Sequence, residues 1–218
     1  MKKSVFFGVL VIAGATFAAV RVKQIADENG ADYMATIKDK ATDYFNKLDS
    51  AFSFVRVSNA KKITPSIVNH PNVRAMLRVI RQGESSLDDA TAYRMMCGKR
   101  GAAFSSFADH PRPALPSPCG KGASGAYQIT IQTWDWLRTL IPLRDFTPAS
   151  QDFAAVALMA YRGALPAVIA GDLKTAFSKL RNEWPSVPGA AENGFTTYAG
   201  AWRLFVAAGG TPKNGAIA

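Results

Sequence analysis

The chain is poor in the residues that metal and redox chemistry draw on. Its 218 residues include two cysteines and two histidines. His70 and His110 are too few and too far apart for a metal site, so no metal and no cofactor is expected. A phosphate-binding glycine loop is absent, and so is a basic motif interleaved with aromatics. No nucleic-acid partner is therefore expected. Acidic side chains are scarce as well, 16 against 26 Lys and Arg, for a net charge of +10. That imbalance favours an anionic partner such as a membrane surface or the bacterial wall. Ser85 and Ser124 lack the His and Asp set that would make either a nucleophile. Internal repeats are lacking too.

Long apolar runs are limited to one. Met1-Lys2-Lys3 precedes an uncharged run of 17 residues, Ser4 to Val20. A basic start followed by an apolar segment points to export, so the periplasm is the expected location. The run is short for a membrane span and rich in Gly and Ala, so its insertion should be weak. Residues 1–23 read as a signal peptide or a signal-anchor. Ala13-Gly14-Ala15 offers small residues for cleavage; uncleaved, residues 4–20 would sit in the inner membrane. A buried soluble helix is the third reading.

Residues 24–55 carry one amphipathic pattern. Tyr33, Ile37, Ala41, Tyr44, Phe45, Leu48 and Phe52 recur at helical spacing, with charges on the other face. Arg56 to Asn69, with Lys61-Lys62 and Pro65, reads as a linker. The expected layout is a helical spacer and linker over 24–69, a globular domain over 70–210 and a frayed tail over 211–218. Within the domain, helices are expected after His70-Pro71, over Thr130 to Leu140, after Thr147-Pro148, after Asp172, and from Tyr198 to Ala208. Asp88 to Lys121 is rich in Gly and Pro; Phe104-Ser105-Ser106-Phe107 is its best strand candidate.

One carboxylate stands out. Val73, Met76, Leu77, Ile80 and Glu84 follow at spacings of three, one, three and four. Glu84 thus continues an apolar stripe and should be partly desolvated, which raises a carboxyl pKa. A carboxylic acid still protonated near neutral pH can donate a proton to a glycosidic oxygen.

Glu84-Ser85 is followed by Gly122-Ala123-Ser124-Gly125-Ala126-Tyr127-Gln128, then by Ala160-Tyr161-Arg162-Gly163-Ala164. This order resembles the lysozyme-like lytic transglycosylases: a Glu-Ser pair, a Gly-x-x-Gln turn, an Ala-Tyr helix segment. Further short segments resemble the phage lambda lysozyme family. They include Phe107-Ala108-Asp109-His110-Pro111-Arg112, Asp145-Phe146-Thr147-Pro148-Ala149-Ser150-Gln151-Asp152 and Trp184-Pro185-Ser186-Val187-Pro188-Gly189. The resemblance covers about Val73 to Gly210. Met1 to Asn72 and the cysteines depart from it. Arg162 stands where many such enzymes carry Asn, so that Asn's role does not transfer.

The resemblance implies an α+β, mainly α fold: a lysozyme-like domain with a small β/loop lobe, preceded here by the N-terminal hydrophobic segment and helical spacer. It implies cleavage of peptidoglycan glycan strands between N-acetylmuramic acid and N-acetylglucosamine, with a 1,6-anhydromuramyl product, in a phage endolysin. Glu84 is the catalytic candidate. Ser85, Gly125, Tyr127, Gln128 and Tyr161 are the substrate-binding candidates. Gln128 would bond substrate or hold Glu84; Tyr127 would pack under the cleft or touch sugar.

A hydrolase needs a second carboxylate, at about 5–5.5 Å for retention or about 6.5–9.5 Å for inversion. Asp88, Asp89 and Asp109 are the candidates in sequence, and Asp109 reads better as a loop brace. Three rival functions stay open: a virion-associated enzyme for genome entry with a virion protein as partner, a muramidase, and a non-catalytic membrane-tethered wall binder. Cys97 and Cys119 are an even pair in an exported chain and are expected to bond. Closing that loop would add roughly 3 kcal/mol. Two separately packed thiols are the alternative.

Overall fold

The computed structural model describes residues 31–85, 89–98, 102–113, 120–189 and 197–213. The apolar run 4–20, Asp88 and Cys119 lie outside the described residues. Two compact units are present, Met1–Phe52 and Ser53–Ala218. In the first, the described residues belong to a helix, α1 (Ala31–Lys61), with an ion pair between Lys47 and Asp43 at 2.7 Å. Tyr44 and Phe52 of the expected stripe are exposed. No helix among the described residues is long and apolar enough to cross a membrane.

The second unit is mainly helical. It holds α2 (Pro65–Val68), α3 (Pro71–Glu84), α4 (Asp89–Ala92), α5 (Ile131–Leu140), α6 (Pro148–Tyr161), α7 (Leu165–Ile169), α8 (Leu173–Leu180) and α9 (Tyr198–Ala207). The starts follow local chemistry. His70 Nδ1 accepts from Asn72 N–H ahead of Pro71. Thr130, Thr147, Asp172 and Thr197 cap α5, α6, α8 and α9 through their side-chain oxygens.

Helix α3 is the hub. It packs on α9, α7, α6 and α2. Val73, Ala75, Met76, Leu77, Val79 and Ile80 are all buried, so its apolar surface is met on several sides. Helix α6 is buried along most of its length, and Ala154, Ala155, Ala157 and Ala160 let its neighbours come close.

Three expectations need correction. The stretch 56–69 is not a linker: α1 continues to Lys61, α2 follows, and Ala60, Ile63 and Val68 are buried in the core. Lys61-Lys62 and Pro65 interrupt the apolar pattern in sequence because they fall between the buried positions. The compact unit therefore begins at Ser53, not at 70. Nor is the start of the tail frayed. Asn72 exchanges hydrogen bonds with the Thr211 backbone, and Lys213 N–H donates to Gly171 C=O at 3.0 Å. Third, Phe104 to Phe107 is not a strand. The small lobe is held by isolated antiparallel bridges, Met95 with Ala103, Met96 with Ser124 and Ser124 with Ile129. Phe104 faces inward because an aromatic cluster takes it: Phe104 meets Phe107 and Phe146, and Phe146 meets Trp134 and His110.

His110 is buried in that cluster. Its Nε2 lies 2.9 Å from Ile129 C=O, and Nδ1 accepts from Arg112 N–H. That assignment makes the ring neutral with Nε2 protonated. Burial pushes its pKa below the usual value, and Arg112 adds to this against the opposing pull of the Ile129 carbonyl. Above about pH 6.5 the ring is neutral in folded and unfolded chains alike. Below it, the unfolded chain takes up a proton that the buried ring resists, so stability falls as the pH drops. We expect the thermal midpoint to decline between pH 7 and pH 5. In His110→Gln the midpoint should be lower throughout and flatter over that window; an unchanged slope would remove His110 as the cause.

Candidate active site

Glu84 is the last residue of α3 and is half-buried. The loop after α8 comes back to meet it. Ser186 Oγ–H donates to Glu84 Oε1, and the Ser186 backbone N–H donates to the same oxygen at 3.3 Å. The contact joins residues 102 apart in sequence, so it depends on the packing of the helices between them. Trp184, next to Pro185 in that loop, is buried and donates its indole N–H to Tyr127 C=O at 3.0 Å.

Ser85 does not face the surface. It is 1% exposed, and its hydroxyl lies within hydrogen-bond distance of Arg81 C=O at 3.2 Å and Ala126 C=O at 3.0 Å. It ties the end of α3 to the Gly-Ala-Tyr-Gln turn.

The turn itself is fastened from α6. Gly125 has φ +77°, and a Cβ there would lie 2.8 Å from Gln151 Cδ, so only glycine fits. Gln151 is fully buried. Its Oε1 accepts from Ala126 N–H at 2.8 Å, and its Nε2 donates to Phe146 C=O at 2.7 Å and Tyr93 C=O at 3.0 Å. Gly125 thus makes room for the Gln151 side chain.

Tyr127 is buried under the turn. Its hydroxyl and that of Tyr93 both donate to Asp152 Oδ1, Tyr93 at 2.6 Å. Arg74 pairs with Asp152 Oδ2 at 2.6 Å, and Arg81 Nη1 donates to both phenol oxygens, at 3.1 and 3.2 Å. Burial, then the Asp152 charge, pushes the Tyr93 phenol up to about 12. The same two causes raise Tyr127 well above its ordinary value.

Gln128 is half-buried with φ +46°. Its Oε1 accepts from Gly98 N–H and its Nε2 donates to Gly125 C=O at 2.8 Å. It clamps its own turn to the segment after Cys97. Cys97 is disulfide-bonded; its expected partner, Cys119, lies outside the described residues.

Tyr161 is the last residue of α6. It meets Trp136 edge-on, ring centroids 4.8 Å apart. Both line a pocket of about 280 Å³ with Thr133, Arg162 and Glu183. Arg162 pairs with Glu183 there at 2.7 Å. Glu183 is three residues before Ser186, so this pocket and Glu84 border the same loop.

Of the carboxylates considered as a second group, Asp109 is fully engaged. It accepts from the Trp134 indole N–H and the His110 N–H and pairs with Arg138 and Arg112. Burial works to raise its pKa, but those donors and charges together hold it below the usual carboxylate range. Asp88 and the Asp89 side chain lie outside the described residues. No group of three or more His, Cys, Asp or Glu that could hold a metal occurs among the described residues. Ser186, Gln151 and Asp152 fall within the matching segments, yet nothing in the sequence gives them a role. Their partners are distant in the chain, and no local pattern announces them.

Tyr127→Phe separates bracing from sugar contact. Removing one donor from the buried Asp152 should cost about 1–3 kcal/mol in urea denaturation with substrate affinity unchanged. Intact stability with a raised KM would make Tyr127 a substrate contact.

The endolysin family model matches residues 74–211. The endolysin of Escherichia phage lambda is 38% identical over 118 residues, 52% of this chain and 74% of that one. The endolysin of Escherichia phage P2 is 33% identical over 171 residues, 68% of this chain and 99% of that one. In structure, bacteriophage lambda lysozyme complexed with a chitohexasaccharide is similar, with a TM-score of 0.56, 30% identity, and coverage of 65% of this chain and 96% of that chain. A second lambda lysozyme structure gives 0.55 and 28%. With the family match spanning more than half its length and the P2 relative covered almost end to end, the chain belongs to the endolysin family.

Proposed function

We propose that this chain is a peptidoglycan-degrading glycosidase of phage lysis, and that it works as a lytic transglycosylase with Glu84 as its acid and base. The observation that carries the proposal is Glu84 itself. It ends a buried helix, half-buried, with its Oε1 held by the returning loop. The lambda relative solved with a bound chitohexasaccharide supports a glycan substrate. The net charge of +10 suits an anionic wall.

The chemistry needs one group. Protonated Glu84 gives its proton to the glycosidic oxygen as the bond from C1 of N-acetylmuramic acid breaks. The resulting carboxylate then takes the proton of that sugar's own 6-hydroxyl. The 6-oxygen bonds to C1, the ring closes as 1,6-anhydromuramic acid, and Glu84 is protonated again. No water and no second carboxylate enters. The engagement of Asp109 with Trp134, Arg138 and Arg112 supports this route over hydrolysis.

Glu84→Gln keeps the shape but cannot cycle a proton, so turnover on purified sacculi should fall by roughly two to four orders of magnitude. Mass spectra of the digest should show anhydromuramyl ends. Free reducing ends that disappear in Asp88→Asn or Asp89→Asn would make the enzyme a muramidase.

Residues 4–20, after Lys2-Lys3, are our basis for placing its action in the periplasm. Fractionation of cells expressing the full chain should find it in the periplasm or inner membrane. Cytosolic protein throughout would refute export, and a shortened chain would mark the segment as a cleaved signal.

A further inference from the structure

The loop after α8 reaches the end of α3 at a place shaped on both sides. Gly83 precedes Glu84. A Cβ at position 83 would lie 2.6 Å from Ser186 Cβ and closer still to its Oγ. The Ser186 side chain therefore occupies the space that any other residue at 83 would fill. Gly83 has no positive φ, so its backbone does not require glycine. Glycine also weakens a helix relative to alanine. What it provides here is a notch.

We propose that Ser186 is a positioning residue for Glu84, and that Gly83 is the notch that admits it. The inference rests on the reading of Glu84 as acid and base. Both Ser186 donors, Oγ–H and the backbone N–H, converge on Oε1. That oxygen is an acceptor in the carboxylate, and it stays one in the acid as long as the proton is on Oε2. Two donors on one oxygen thus assign the travelling proton to Oε2 and hold the plane of the carboxyl group. The same oriented group then meets the glycosidic oxygen and, after bond cleavage, the 6-hydroxyl. Misplacement of such a group by about 1 Å can cost about 100-fold in rate.

The test uses the full-length protein on soluble, uncrosslinked glycan strands. Ser186→Ala should lower kcat about 10- to 100-fold with KM changed less than about twofold. A raised KM with unchanged kcat would make Ser186 a substrate contact and overturn the proposal. Gly83→Ala should lose thermal stability and activity together, because its methyl drives against Ser186. In Gly83→Ala with Ser186→Gly the collision is gone. Its melting temperature should return toward wild type while kcat stays low. Recovery of kcat along with stability would show that Ser186 acts by packing alone and would overturn the proposal. Glu84→Gln run beside these variants separates the two readings. If it stays active, the acid/base assignment fails; if it is inactive while Ser186→Ala turns over normally, the positioning role alone fails.

Discussion

A carboxylate taken out of water must be paired, or it costs several kcal/mol. Asp152 is such a carboxylate, and the junction of α3, α6 and the Gly-Ala-Tyr-Gln turn is arranged around satisfying it. Arg74 from α3, Tyr93 from the turn after α4 and Tyr127 from the Gly-Ala-Tyr-Gln turn all converge on it from outside its own helix, α6. Arg81, further along α3, bonds both phenols. Four separate pieces of chain are thereby fixed to one another by a single side chain. None of the four can shift without leaving a buried polar group short of a partner.

The Gly-Ala-Tyr-Gln turn is tied into this arrangement at several points. Gly125, Tyr127 and Gln128 look, in sequence, like residues that line a sugar cleft. In the folded chain Gly125 yields to Gln151, Tyr127 points into the protein, and Gln128 bonds the backbone of its own turn and of Gly98. Ser85 completes the fastening by joining the end of α3 to Ala126. The motif is a joint. It brings the helix that bears Glu84, the small lobe and α6 to one point, and so sets where Glu84 stands.

Helices and their starts were legible from sequence because their causes are local. Thr130, Thr147 and Asp172 announce caps, and Pro71 and Pro148 fit the first turn. Glu84 was legible because helical spacing carries it along a buried stripe. The burial of Ala60, Ile63 and Val68 was hidden by the lysines and proline between them. The Phe104 region was misread as a strand because two aromatics in a short run satisfy strand preference, whereas His110, Trp134 and Phe146 decide its conformation from elsewhere. Ser186 could not be found as a partner of Glu84, since contact between them exists only after α8 and its loop have packed.

The two phenols on Asp152 also set an alkaline limit. Their folded pKa values are raised, Tyr93 to about 12 and Tyr127 well above its ordinary value. The stability they contribute is complete below the ordinary tyrosine value of about 10 and is lost as the pH climbs through their folded values. Two of the six tyrosines therefore keep their protons in alkali while the fold lasts. Tyrosinate absorbance from this pair would therefore rise only with collapse of the joint, so the protein carries its own optical gauge of the junction at the end of α3.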